Sequence, residues 1–182
     1  MKLTGWRAEG SFPFEIPRFV LVGAHHTSNW DVFYGAICVY SLGLFDHWKP
    51  LVITKMQAMT GWMGVAMRRM GGLGIDRSRP NQLVQQVIEQ LKGPERVVLV
   101  ISPEGARKKT DYWKSGFYHI ALGAQVPLVL ATLNYARKLF IASPPLYLSG
   151  DVESDLAQIR AFYANTVAKY PDQAAEIRFK PA

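Results

Sequence analysis

Val97-Val98-Leu99-Val100-Ile101, running straight into Ser102-Pro103-Glu104-Gly105-Ala106-Arg107-Lys108-Lys109, is the stretch on which the fold turns. An unbroken apolar run, mostly β-branched, predicts a strand at the centre of a sheet with both faces buried. Pro103 ends backbone pairing, so the polar residues behind it fall on a loop at the carboxyl end of that strand. In open α/β sheets ligands gather outside those carboxyl ends.

Outward from this strand, short β-branched runs alternate with longer helical windows. Residues 19–22 read as a second buried strand, followed by a Gly23-Ala24-His25-His26 loop and a helix from Ser28 or Asn29 to about residue 44. Residues 51–54 form the next strand. Residues 56–70 carry apolar side chains at helical spacing, weakened by Gly61 and Gly64. Residues 73–75 make a short strand, and a helix over 82–91 is stopped by Gly93-Pro94. A helix over 115–122, a strand over 127–133 and an amphipathic helix over 153–169 complete the chain, the last with Leu156, Ile159, Phe162, Tyr163 and Val167 on its apolar side. The pattern predicts a single α/β domain over residues 1–182, a mixed, largely parallel sheet flanked by helices.

With 49% hydrophobic and 19% charged residues, the 182-residue chain is globular in composition. Its single cysteine, Cys38, excludes an intramolecular disulfide and a cysteine-rich zinc site, and fits a reducing, cytoplasmic setting. The apolar run over residues 32–45 falls short of the roughly 18–20 residues that a membrane span needs. The first residues carry no apolar segment of signal-peptide type. Contact with lipid is therefore expected from one side, as a peripheral protein. A net charge of +7 favours an anionic partner, whether phosphate ligand, anionic lipid or nucleic acid, without choosing among them. Against nucleic acid, the basic residues are dispersed and no helix-turn-helix, zinc-finger or aromatic RNA-binding motif occurs.

Two polar clusters follow two of the predicted strands and are placed to share one crevice. In the first, His26 and Asp31 are separated by Thr27-Ser28-Asn29-Trp30. A strand, loop and helix start can fold the carboxylate back to an imidazole nitrogen, giving the base and orienting group of a catalytic triad without a protein nucleophile. A substrate hydroxyl would fill the empty role. Ser28-Asn29-Trp30-Asp31 is equally a helix capping box. His25 with His26 and Asp31 suggests a metal site, but adjacent histidines point apart and no third ligand of suitable spacing is evident.

In the second cluster Gly105 permits close backbone approach, Arg107 offers a fork of donors for phosphate, and Glu104 must pair with a cation or accept from a hydroxyl. A charged surface turn explains the same residues. Between the clusters, Gly71-Gly72-Leu73-Gly74-Ile75-Asp76-Arg77 does not satisfy the dinucleotide pattern G-x-G-x-x-G, and Arg77 is left to face the crevice or solvent.

Taken in order, these segments resemble the motifs of the glycerolipid acyltransferase superfamily, which includes the 1-acylglycerol-3-phosphate (lysophosphatidate) acyltransferases. His25-His26-Thr27-Ser28-Asn29-Trp30-Asp31 is similar to its N-H-x-x-x-x-D motif, and Gly72-Leu73-Gly74-Ile75-Asp76-Arg77 to G-x-I-F-I-x-R. Ser102-Pro103-Glu104-Gly105-Ala106-Arg107 is similar to F-P-E-G-T-R, and Val126-Pro127-Leu128-Val129-Leu130-Ala131 to V-P-I-V-P-V. The resemblance implies transfer of a fatty acyl group from acyl-CoA or acyl-carrier protein to a lysophospholipid hydroxyl at an anionic membrane surface. His26 would be general base and Asp31 its partner, with Arg77, Glu104, Gly105 and Arg107 binding the acceptor, and no metal or redox cofactor. His25, Ser102, Ala106 and Leu130 depart from the motifs, which touches acceptor identity more than chemistry. The hydrophobic N-terminal helices of many relatives have no counterpart here.

Oxyanion donors would come from backbone N–H groups near Gly105 or at the helix start after Asn29. Cys38, in an apolar window without a neighbouring base, makes a poor nucleophile, and no G-x-S-x-G elbow marks a hydrolase. Residues 32–45 and 56–70 can line an acyl channel or simply fill the core. Trp62, Met63 and Met67 beside Arg68 and Arg69 suggest a patch for anionic lipid. His47 reads as loop surface, His119 as helix packing, and Lys114 as either a phosphate ligand or a solvated lysine. The rival readings are acyl transfer to another lipid acceptor, such as an amino-lipid or a different lysolipid, a non-catalytic lipid-binding relative, or a basic nucleic-acid-binding module.

Overall fold

The computed structural model describes residues 5–55, 65, 72–75, 80–105 and 109–180. Its strands are β1 (Arg7–Glu9), β2 (Arg18–Gly23), β3 (Lys49–Lys55), β4 (Gly72–Ile75), β5 (Val97–Ile101), β6 (Leu128–Asn134) and β7 (Leu139–Ala142). They form one sheet in the order β1-β7-β6-β2-β5-β3-β4. Every pairing is parallel except the β6–β7 hairpin, so the sheet is mixed and largely parallel, as the sequence pattern predicts. The helices are α1 (Asn29–Ser41), α2 (Leu44–His47), α3 (Pro80–Lys92), α4 (Gly116–Ala124) and α5 (Val152–Tyr163).

Side chains alternate across the strands with period two, and the sheet is covered on both faces. Val20 and Val22 of β2, Leu99 of β5 and Leu128 and Leu130 of β6 pack against α3, α4 and α5 through Val87, Phe117 and Ile159. Phe19 and Leu21 of β2, Val98 of β5 and Val129 of β6 point the other way, toward Cys38 and Val39 of α1, Leu44 of α2 and Trp48. β2, rather than β5, occupies the middle of the strand order. Nor is β5 buried throughout: Val97, Val98 and Leu99 are covered, but Val100 is 42% exposed because it faces a cavity described below.

Two helix boundaries differ from the sequence expectation, each for a local reason. The helix expected to reach residue 44 breaks at Gly43, whose φ of +76° is left-handed, and restarts as the short α2. The helix expected over 153–169 stops at Tyr163. Beyond it the Thr166 hydroxyl donates to the Tyr163 carbonyl, the Asn134 side chain takes the Asn165 carbonyl, and the Tyr135 N–H takes the Val167 carbonyl. Tertiary hydrogen bonds to the end of β6 thus replace the last helical turns. The edge strand β1 and its neighbour β7 have no counterpart in the sequence pattern. The helical window over 56–70 lies outside the described residues apart from Val65.

One buried carboxylate ties the helical layer together. Asp155, in the first turn of α5, is fully buried; its Oδ1 accepts from the Ser149 N–H and hydroxyl, and its Oδ2 from the Gly150 N–H and the Tyr118 hydroxyl of α4. Burial alone would raise its pKa, but these donors outweigh it and hold the carboxyl below its ordinary value. Burial and the Asp155 carboxylate push the Tyr118 phenol up to about 12. A carboxyl depressed by folding stabilises above the usual carboxylate range and loses that contribution as pH falls through its folded pKa. Asp155→Asn is expected to cost about 1.5–3 kcal/mol at neutral pH. The difference from wild type should shrink on acidification, read from urea midpoints between pH 7 and pH 3.

Candidate active site

Parallel pairing of β2 with β5 places Val22 opposite Ile101, so the loops after both strands leave the same edge of the sheet side by side. They are joined by a direct bond. The backbone N–H of His26 donates to Glu104 Oε2 at 2.5 Å, across 78 residues of sequence. Glu104 is only 3% exposed, and its Oε1 faces His25 Nδ1 at 3.5 Å. The Ala24–His25 peptide is cis. Behind the loop, the Tyr163 hydroxyl of α5 donates to the Val22 carbonyl at 2.8 Å, and its ring lies 5.7 Å from that of His25. Glu104 therefore points inward to the histidine loop.

Gly105 follows with φ +65°, a region glycine occupies without penalty. A Cβ there would lie 2.7 Å from Lys114 Nζ, so the ammonium sits against this backbone, and the Lys114 N–H also bonds the Pro103 carbonyl. Lys114 thus packs along the Pro-Glu-Gly loop while remaining exposed to solvent. Arg77 and Arg107, the two arginines expected to grip phosphate, lie outside the described residues, as do Trp62, Met63, Met67, Arg68 and Arg69.

Asp31 caps α1 and also approaches the His26 ring. Ser28 is the N-cap of α1, accepting from the Trp30 N–H, and Asp31 at the third helical position completes the capping box. Asp31 Oδ2 accepts from the Thr27 and Ser28 N–H groups, both at 2.7 Å, and lies 3.7 Å from His26 Nδ1. That separation is longer than a hydrogen bond, as contacts of catalytic groups often are before substrate binds. With Nδ1 toward the carboxylate, Nε2 is the ring nitrogen left for a ligand. Oδ1 accepts from the hydroxyl of Tyr135, just beyond β6, at 2.6 Å. Several N–H groups expected as oxyanion donors are engaged within the loops: that of Trp30 on Ser28, that of Asp31 on the Ser28 carbonyl and that of Gly105 on the Ser102 carbonyl.

His26 and Asp31 stand on the wall of a cavity of about 680 Å³ between the sheet and α1. The rest of its lining is mainly apolar, with Val32, Ala36 and Val39 of α1, Phe45 of α2, Val100 of β5 and Leu133 of β6. The helical window is divided between core and cavity: Cys38 packs into the core while Val32 and Ala36 face the cavity. Burial pushes the Cys38 thiol up to about 11, so it holds little thiolate at neutral pH. Ser102 Oγ, also on the cavity wall, bonds to neither histidine. His47 is exposed at the end of α2 against Phe14, and His119 faces outward from α4, contrary to the packing role its position suggested. Tyr135, Tyr163 and Lys169 were not anticipated at this site, for each is remote in sequence and none stands in a motif.

The chain belongs to the glycerolipid acyltransferase family: the acyltransferase family model matches residues 14–133, more than half of it. No curated protein and no solved structure gives a significant match. The protein is an acyltransferase enzyme, and the matched region carries β2 through most of β6, hence both loops and the cavity. Because Glu104 satisfies the His26 N–H in a buried position, Glu104→Ala is expected to cost about 1–3 kcal/mol of stability and to lower acyl transfer. Glu104→Gln keeps an acceptor and should recover most of the stability, measured as urea midpoints at constant slope.

Proposed function

We propose that this acyltransferase moves a fatty acyl group from acyl-CoA or acyl-carrier protein to the hydroxyl of a lysophospholipid, 1-acylglycerol-3-phosphate foremost, in phospholipid biosynthesis. One observation carries the reading. A histidine faced by a buried carboxylate opens onto an apolar cavity, and Ser102, the serine on the cavity wall among the described residues, is not bonded to it. The acyl chain lies in the cavity, and the acceptor hydroxyl hydrogen-bonds His26 Nε2.

The hydroxyl oxygen attacks the thioester carbonyl as the imidazole takes its proton, and Asp31 stabilises the imidazolium that forms. Collapse of the tetrahedral intermediate breaks the carbon–sulfur bond, and His26 returns the proton to the leaving thiolate. No acyl-enzyme, metal or redox cofactor is needed. Lys114 with Arg77 and Arg107 supplies positive charge for the acceptor phosphate, and Gly105 admits it close to the backbone.

The reaction takes place at a membrane surface. No helix among the described residues is long and apolar enough to cross a bilayer. The outer side of α1 nevertheless exposes Trp30 at 50%, Phe33 at 52% and Tyr40 at 68%, next to Val32 on the cavity wall. Such aromatics enter the interfacial layer of a bilayer, and a chain with +7 net charge is drawn to anionic lipid.

His26→Ala should fold as wild type and lose nearly all turnover, while Asp31→Asn should fall by about 10²–10⁴-fold. The purified protein is assayed with acyl-CoA and acyl-carrier protein against a panel of lysophospholipids and amino-lipids. Full activity in the histidine variant would sink the mechanism, and transfer to an amino-lipid alone would replace the acceptor. Phe33→Ala with Tyr40→Ala should weaken flotation with anionic vesicles roughly tenfold or more; unchanged flotation would remove α1 as the contact face.

A further inference from the structure

The support of the histidine–carboxylate pair comes partly from outside the matched region. Residues 14–133 hold His26 and Asp31, but the donor on Asp31 Oδ1 is Tyr135, at 2.6 Å. The Thr27 and Ser28 N–H groups fix Oδ2 from the loop side at 2.7 Å. Without the phenol, Oδ1 loses this donor and the carboxylate is pinned at Oδ2, free to turn about its last side-chain torsion.

Tyr135 is itself braced. Its N–H donates to the Val167 carbonyl at 2.9 Å. Its ring meets Trp6 edge-on with centroids 5.0 Å apart. The Lys169 ammonium lies 5.9 Å from that ring, 5.2 Å from Trp30 and 5.7 Å from Tyr170, a three-ring cation–π cluster. From the same segment, the Tyr170 N–H reaches Thr27 Oγ1 at 3.3 Å. The chain after α5 is thus strapped across the end of β6 onto the loop that carries His26.

We propose that Tyr135 is a positioning residue for the His26–Asp31 pair, aiming the carboxylate at the imidazole through its hydroxyl, with Lys169 holding Tyr135 in place. Burial, together with the hydrogen bond to Asp31 and that carboxylate's charge, raises the phenol well above its ordinary pKa, so it remains a donor at any assay pH. The other titratable and charged groups facing the pair are His25 and Glu104 on the loop side, Tyr34 of α1, and Lys169 and Tyr170 on the strap. None of these donates to Asp31 Oδ1 in place of the phenol.

The inference rests on the general-base reading above, and the two fail differently. Steady-state acyl transfer is measured for wild type, Tyr135→Phe, Asp31→Asn, the double variant, Lys169→Met and His26→Ala between pH 5 and pH 9. Tyr135→Phe should lower kcat by about tenfold, with KM for both substrates within about twofold, since no substrate contact is lost. The acid limb of its kcat/KM profile should move to lower pH, because a carboxylate turned off the ring no longer stabilises the imidazolium. Added to Asp31→Asn, the same substitution should cost nothing further, whereas a purely structural role would add its full effect. Lys169→Met should give a smaller fall in the same direction. Wild-type kcat and an unmoved limb in Tyr135→Phe, with His26→Ala inactive, would overturn the positioning role and leave the general base standing. Activity in His26→Ala would overturn both. If Tyr135→Phe lacks cooperative unfolding, Lys169→Met decides: wild-type kcat and pH limb there overturn the proposal.

Discussion

The parallel pairing of β2 with β5 is the constraint on which the rest depends. These strands are far apart in sequence, and only their register, Val22 against Ile101, makes the loops after them neighbours. A slip of one residue would turn Val20 and Val22 away from the α3–α5 layer and Phe19 and Leu21 into it. Burial on both faces therefore fixes the register more firmly than the ladder bonds alone. The site adds its own lock at the carboxyl end, where Glu104 takes the His26 N–H. At the opposite end, the Val97 N–H bonds the Pro17 carbonyl and the Arg18 guanidinium bonds the Gly93 carbonyl.

The faces of the sheet do different work. On the α3–α5 side, packing is dense from Leu91 through Trp113 and Phe117 to Tyr163, and the buried Asp155 has every oxygen occupied. On the α1 side, core packing holds around Phe19, Cys38, Leu44 and Trp48 but gives way toward the carboxyl end, where Val100 is uncovered. Gly35 and Ala36, small residues on the cavity side of α1, leave that space open. Larger side chains there would bury more apolar surface and close the pocket. The cavity is thus a place where room for a ligand displaces core packing, on the same sheet edge as the histidine.

Hydrophobic pattern made much of this legible. The runs that became β2, β5 and β6 are apolar and β-branched, and a two-sided buried strand has no other simple reading. The motif residues His26, Asp31 and Glu104 were legible as chemistry, and Ser28 as a cap. What the pattern does not contain is pairing between distant polar groups. β1, at the sheet edge, and β7 beside it are short, and the turn between β6 and β7 uses Lys138 at φ +48°, where a glycine or asparagine would have signalled a hairpin. The final helix looked longer because Val167 continues its apolar spacing; its backbone is instead claimed by Tyr135. Glu104 reads from its neighbours as a substrate ligand, but its burial and its bond to a backbone N–H emerge only in three dimensions.

The two sequence readings of Asp31, helix cap and orienting group, are compatible with a single arrangement. A capping carboxylate is drawn back over the start of its helix by the N–H groups it accepts, here those of Thr27 and Ser28. Because the histidine immediately precedes those residues, the same Oδ2 that caps also comes within 3.7 Å of Nδ1. Capping geometry therefore brings the carboxylate near the ring without a dedicated element, and the four-residue spacing is what a helix start of this kind needs. A cap alone tolerates an untethered second oxygen, since water would serve it. An orienting group does not, because rotation about the last torsion would swing the carboxylate off the imidazole. Anchoring Oδ1 on a half-buried tyrosine, from a segment that gives the cap nothing else, is what separates this helix start from an ordinary one.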